Sequence, residues 1–399
     1  MPYGETLYSI WLSLRYKPGD PTPGELLRRL RKASKIYSAD REFLLSLGFT
    51  AKSIRPLAAK SLEAAEKIAS DCAKAGVGAL SYSDPNYPVQ FMQLQTPPPV
   101  LYYRGKLPRF DDNVFITAVG TRKMSDAGRM NAHRLCFELA AAGAVVVSGM
   151  ARGIDSVCHA GAIDAEGQTL AILGCGADVI YPPENSYLYG QIMERGGFIS
   201  EYPPGTEPMA GNFPYRNRLL AALGAATVIV EAGVGSGALI TAEHAMKLGR
   251  PVYAVPGSLN TPSARGSNLL LQRGAAMCTG AEDILVNYES VCPHRIKIER
   301  IYSKKYFIGN MAPSGETDEE TGAAAAAAGA DTPELKISRS SELFGADRTV
   351  YELLLKKGAM TPEAFSDLGF DTAEATYRLT MLEIGGYVTM LPGGKYTVR

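Results

Sequence analysis

The sequence specifies an α/β protein built on a mainly parallel sheet with helices on both faces, and three observations lead there. Residues 114 to about 285 alternate short apolar strands with helical stretches, the pattern of strand–crossover–strand units. The strands are continuous apolar runs, as at Ala226-Thr227-Val228-Ile229-Val230, so both of their faces must be buried. Several run directly into glycine-rich turns, and ligands of such sheets bind where the strands end. Strands are expected at Val114 to Val119, Ala144 to Val147, Thr169 to Leu173, Gly197 to Ser200, Ala226 to Glu231 and Pro251 to Val255.

The rest of the chain falls around this centre. Residues 1–80 carry apolar residues at helical spacing (Leu7, Ile10, Trp11, Leu14; Leu26, Leu27, Leu30), with a helix–glycine–helix turn at Phe43 to Phe49, and read as a small helical domain. Residues 81–113 are rich in proline and tyrosine, which hold a chain extended, and read as a packed connector. The main domain spans 114–290. Residues 291–340 open with a basic run, Arg295 to Lys305, and pass into an acidic stretch with six consecutive alanines, Pro313 to Asp331; without an apolar face it is expected to be a flexible linker. Residues 341–399 read as three helices and a glycine-turned hairpin, the outline of a winged helix, whose third helix carries Arg378 but also Glu374 and Glu383.

Composition excludes several classes. Lysine plus arginine and aspartate plus glutamate number 41 each, and residues 114–285 hold 12 basic against 14 acidic side chains, so a polyanion has to be held by a few focused groups. Cys72, Cys136, Cys158, Cys175, Cys278 and Cys292 show no paired or metal-ligand spacing, and no metal or cofactor is called for. No signal peptide and no run of about 20 apolar residues is present, which gives the expectation of a soluble, cytoplasmic protein.

The candidate site lies in the turns after the strands: Gly120-Thr121-Arg122-Lys123, Ser148-Gly149-Met150-Ala151-Arg152-Gly153-Ile154-Asp155, Gly174 to Asp178, and Gly233 to Gly237. Glycines let backbone N–H groups approach an anion, and the helix that opens after each turn adds partial positive charge. Phe213-Pro214-Tyr215-Arg216-Asn217-Arg218 supplies aromatic faces and cations, the combination that holds single-stranded nucleic acid. The alternative for Arg216 and Arg218 is pairing with Glu201 or Glu231. His159, one turn after Asp155, and Cys175, between two glycines, make a weak case for catalysis.

These residues form a closely spaced series that resembles the DNA-processing protein A family, also called DprA or Smf: Val119-Gly120-Thr121-Arg122, Ser148 to Asp155 with His159, Tyr181-Pro182-x-x-Asn185, Ser200-Glu201-Tyr202-Pro203, Phe213-Pro214-x-Arg216-Asn217-Arg218, Val230-Glu231-Ala232 with Ser236-Gly237, Gly249-Arg250-Pro251-Val252, Ala254-Val255-Pro256-Gly257, Gly266-x-Asn268 and Gly274-Ala275. The resemblance implies an extended Rossmann-like domain between an N-terminal SAM-like domain and a C-terminal winged helix. It further implies a cytosolic, non-enzymatic, homodimeric protein that binds single-stranded DNA and helps load RecA recombinase on it, protecting incoming DNA during natural transformation. The DNA-binding residues carried over are Gly120, Thr121, Arg122, Ser148, Gly149, Arg152, Phe213, Arg216, Asn217, Arg218, Ser236 and Gly237. The competing reading is a nucleotide phosphoribohydrolase on a related fold; its catalytic glutamate would fall on Leu239 here. A regulator acting only through the winged helix would leave the arginine-lined rim without a role.

Overall fold

The computed structural model describes residues 4–303, 345–368, 370, 372–384, 387–391 and 395–398. The alanine-rich stretch 313–331 and the glycine pairs expected to turn the terminal hairpin, Gly385-Gly386 and Gly393-Gly394, lie outside the described residues. The chain divides into two compact units, Met1–Met311 and Ala312–Arg399.

The first unit is built on a nine-stranded sheet: β1 Gly78–Ser81, β2 Val100–Gly105, β3 Phe115–Val119, β4 Val145–Ser148, β5 Thr169–Leu173, β6 Gly196–Ser200, β7 Ala226–Ile229, β8 Val252–Ala254 and β9 Ala276–Met277, in the spatial order β1-β2-β6-β5-β4-β3-β7-β8-β9. From β6 to β9 all neighbours are parallel, while β1 and β2 are antiparallel. All six expected strands are present. Every residue of β3, β5 and β7 is buried, because successive side chains enter different cores: Phe115 and Val119 on one face, Ile116 and Ala118 on the other.

Two boundaries move. The 81–113 connector contributes β2 and the last residue of β1, so it is part of the sheet; Tyr102 to Gly105 pair with Gly197 to Ser200 of β6. The helical N-terminal segment packs on the same sheet, with Leu7, Trp11 and Leu26 in one continuous core with Phe115, Ile172 and Leu220. The first part of the expected linker, 291–303, also belongs to this unit. Ile296 is fully buried, Lys297 N–H donates to the Ala142 carbonyl (2.9 Å), and a short helix follows at Glu299–Ser303. An isoleucine aimed at the helix Asp126–Ala141 outweighs the basic character of its neighbours.

The second unit has a helix Gly345–Lys357, a 3₁₀ segment Pro362–Leu368 where the second helix was expected, a helix Thr372–Ile384 and the antiparallel pair β10 Val388–Leu391 and β11 Lys395–Val398. Its own small core joins Tyr351, Leu354, Phe365, Leu379 and Tyr396. No helix among the described residues is long and apolar enough to cross a membrane.

Candidate nucleic-acid interface

After β3 the chain adds β4, β5 and β6 on one side, then crosses back to place β7 and β8 on the other. The turns leaving β3 and β7 therefore diverge, and a cleft of about 410 Å³ opens between them, at the switch point where such sheets bind ligands.

One wall is the turn after β3. Thr121 N–H donates to the Glu231 carbonyl (2.7 Å) and the Thr121 carbonyl accepts from Ile154 N–H (3.1 Å), which ties the turn to the end of β7 and to the helix Ile154–Asp164. Glycine is obligatory twice: a Cβ on Gly120 would lie 2.6 Å from the Ile154 side chain, and Gly153, at φ +79°, faces the Thr121 carbonyl at 2.4 Å from an ideal Cβ. With its backbone locked, the turn lifts Arg122 and Lys123 into solvent, and neither has an acidic partner among the described residues. Glu231, 3% exposed, takes no part in the cleft; it accepts from Ser125 N–H (3.2 Å) and Oγ (2.8 Å) at the start of the helix Asp126–Ala141.

The second wall is the helix Asn212–Leu223, which contains the aromatic–arginine segment in its first two turns. Phe213 is half-buried, with the guanidinium carbons of Arg122 and Arg216 at 5.4 Å and 5.8 Å from its ring centre. Arg216 turns inward and is only 2% exposed; Nη1 donates to the carbonyls of Gly149 (2.8 Å) and Ile172. Burial pulls its guanidinium down to about 10. Asp155, also buried, accepts from Gly120 N–H (3.3 Å); burial pushes its carboxyl above the usual carboxylate range, and Arg216 offsets only part of that rise.

The third wall is the Gly235–Gly237 turn and the helix Gly237–Lys247, whose N-cap Ser236 accepts from Ala238 N–H (3.3 Å). Asn217 joins the second and third walls by donating its side-chain amide to the Gly237 carbonyl (3.1 Å). The first-turn N–H groups of this helix add positive potential where Arg122 and Lys123 stand.

Gly120, Thr121, Arg122, Phe213, Arg216, Asn217, Ser236 and Gly237 thus line one cleft. Four residues expected at the site lie elsewhere. Ser148 is buried with its hydroxyl donated to the Ala118 carbonyl (2.7 Å), and Gly149 is closed over by Arg216 and Asp155, each 2.7 Å from an ideal Cβ. Arg152 is exposed but paired with Glu184. Arg218, 5% exposed, donates to both oxygens of Glu201 (2.7 Å) and to the Tyr215 hydroxyl (2.8 Å), with the Tyr215 ring 4.1 Å away. A guanidinium this deep requires a counter-charge, and Glu201, immediately after β6, provides it. Tyr215 itself turns to the N-terminal segment, where its hydroxyl accepts from Gly19 N–H (2.8 Å).

Lys123 and Asp155, which belong to the expected turns but not to the residues carried over as DNA contacts, also line the cleft, and so does Thr241, which no expectation named. Thr241 was findable, since it stands four residues after Gly237 on one helix face. The weak catalytic candidates weaken further. His159 is buried against the Thr169 hydroxyl (2.7 Å), and burial, then Arg216, pulls it down to about 3, so it is uncharged at neutral pH. Burial pushes the Cys175 thiol up to about 11.

Residues 78–289 match the family model described as DNA recombination-mediator protein A. The chain belongs to this family. A relative named Protein Smf from Synechocystis sp. is 33% identical over 324 residues, 80% of each chain. DNA processing protein DprA of Bacillus subtilis is 38% identical over 209 residues, 52% of this chain and 70% of that one. The X-ray structure of DNA processing protein A from Streptococcus pneumoniae superposes with a TM-score of 0.59 at 28% identity, covering 71% of this chain and 98% of its own. The family match spans β1 to the helix Glu282–Glu289, and so includes all three walls of the cleft and the antiparallel edge.

Proposed function

We propose that this family member binds single-stranded DNA in the cleft between the turns after β3 and β7, and that it delivers the bound strand to a RecA-type recombinase, working as a homodimer without enzymatic turnover. The observation that carries the reading is Arg122 beside the half-buried face of Phe213: a cation without an acidic partner among the described residues and an aromatic surface within 5.4 Å, in a cleft that the N-terminus of the helix Gly237–Lys247 also lines. Backbone phosphates meet Arg122, Lys123 and the helix end, and a base stacks on Phe213 for about 1–3 kcal/mol. A duplex keeps its bases stacked on each other and offers none to Phe213, so the site favours single strands. Arg216 acts from below, holding the Gly149 turn.

The test is equilibrium binding of a fluorescent single-stranded oligonucleotide at about 50 and 200 mM salt, with duplex as competitor. The reading expects single-strand preference, weakening with salt, and a loss of about tenfold for Arg122→Ala and Phe213→Ala. Unchanged binding in these folded variants would overturn it.

A further inference from the structure

The floor of the cleft is furnished beyond what tracking a phosphate backbone needs. Thr241 is 1% exposed and lines the cleft, yet its hydroxyl makes no hydrogen bond among the described residues. Asn217, 9% exposed, commits its amide nitrogen to the Gly237 carbonyl, which leaves its carbonyl oxygen as an acceptor in the cleft that Thr241 also lines. Arg216, 2% exposed and also lining the cleft, has a buried Nε with no partner. Buried polar atoms without partners cost free energy unless a ligand or water answers them. The cleft volume, about 410 Å³, belongs with pockets for one small molecule and would not hold several stacked nucleotides.

We propose that the cleft is a mononucleotide pocket: a free nucleoside 5′-monophosphate occupies it and displaces the DNA strand. Its phosphate lies at the Gly235–Gly237 helix end beside Arg122 and Lys123. Its base lies on Phe213, with the polar edge toward Thr241 and Asn217. This deepens the DNA-binding reading and rests on it, because each step along a strand presents the same three parts, phosphate, sugar and base, that one free nucleotide presents. The nucleotide pool would then compete with DNA for this protein. With only two open cations at the rim, the free nucleotide binds weakly, in the range of about 1 mM, while a strand gains from further contacts outside the pocket.

The test uses the full chain with a fluorescent oligonucleotide bound, titrated to about 10 mM with deoxyadenosine or thymidine 5′-monophosphate at constant ionic strength. Sodium phosphate, the free nucleosides and sulfate serve as controls. The proposal expects displacement by the monophosphates, at least about fivefold weaker displacement by phosphate or nucleoside alone, and a further three- to tenfold loss for Thr241→Val, roughly one hydrogen bond. Thr241→Ser, which keeps the hydroxyl, retains nucleotide binding, so a packing defect is told apart from loss of that group. If the oligonucleotide binds in an Arg122-dependent way and the monophosphates displace no more than sulfate does, the mononucleotide proposal fails and the DNA reading stands. If the monophosphates bind directly by calorimetry while no oligonucleotide binds, the DNA reading fails and the pocket stands.

Discussion

Arg122 and Arg216 approach the same phenylalanine ring, at 5.4 Å and 5.8 Å, and yet live in opposite physical settings. Arg122 sits on a turn whose Thr121 carbonyl is already taken by Ile154 N–H at the start of a helix, and its own side chain stands exposed, so its charge is left for solvent or for a ligand. Arg216 extends from a helix under the ends of β4 and β5, where the carbonyls of Gly149 and Ile172 reach its guanidinium first. Arg218, two residues on, is likewise consumed, by Glu201. Proximity of arginine to glycine turns therefore has two meanings. Where the backbone has spare acceptors, the arginine becomes part of the frame; where it does not, the charge remains available for binding.

The sharpest way to break this comparison is Arg216→Ala. It would strand two carbonyls and leave Asp155 without its cation, and the expected loss of folding free energy is about 3–5 kcal/mol, read by urea denaturation. A loss below about 1 kcal/mol would return Arg216 to the binding residues. Next comes Arg218→Met, expected to cost about 2 kcal/mol because Glu201, half-buried, is left unpaired; Arg218→Met with Glu201→Gln together should recover much of that loss. Acid sensitivity of the frame is smaller. His159, held near 3 against an ordinary value of about 6.5, stays neutral in the fold while the unfolded chain takes up the proton, so stability falls as pH drops through that window, by about 1.4 kcal/mol per unit from this group. The difference in stability between wild type and His159→Gln, measured at successive pH values from 6.5 to 5, isolates that slope. Smallest of all is the expected effect of Arg122→Ala on folding, within about 0.5 kcal/mol, against the loss of about tenfold in DNA binding that the proposed site predicts for the same change.

Much of this was legible in the chain. The buried strands β3 to β8 announce themselves as apolar runs ending in glycine, and the walls of the cleft are the turns that follow β3 and β7. Proline masked β2, whose pairing with β6 depends on residues almost a hundred positions away. The strand β9 has two residues, both exposed, and no apolar pattern to read. Arg216 and Arg218 were equally opaque: the segment displays the cations, but whether a carbonyl or carboxylate lies within reach is decided by the crossing of elements distant in sequence. Pairing of Arg218 with Glu201 stood as one of two readings, and only burial separates them.

The outermost strands carry one more consequence. The sheet ends in β1, four residues long, on one side and in β9, two residues long, on the other. Severing the chain after β2 would strip β1 and β2 away and leave the backbone of β6, five residues long, as an unpaired margin open to any extended neighbour. The N-terminal segment is thus also a hem, which keeps the hydrogen-bonding edge of β6 closed to unintended strand pairing.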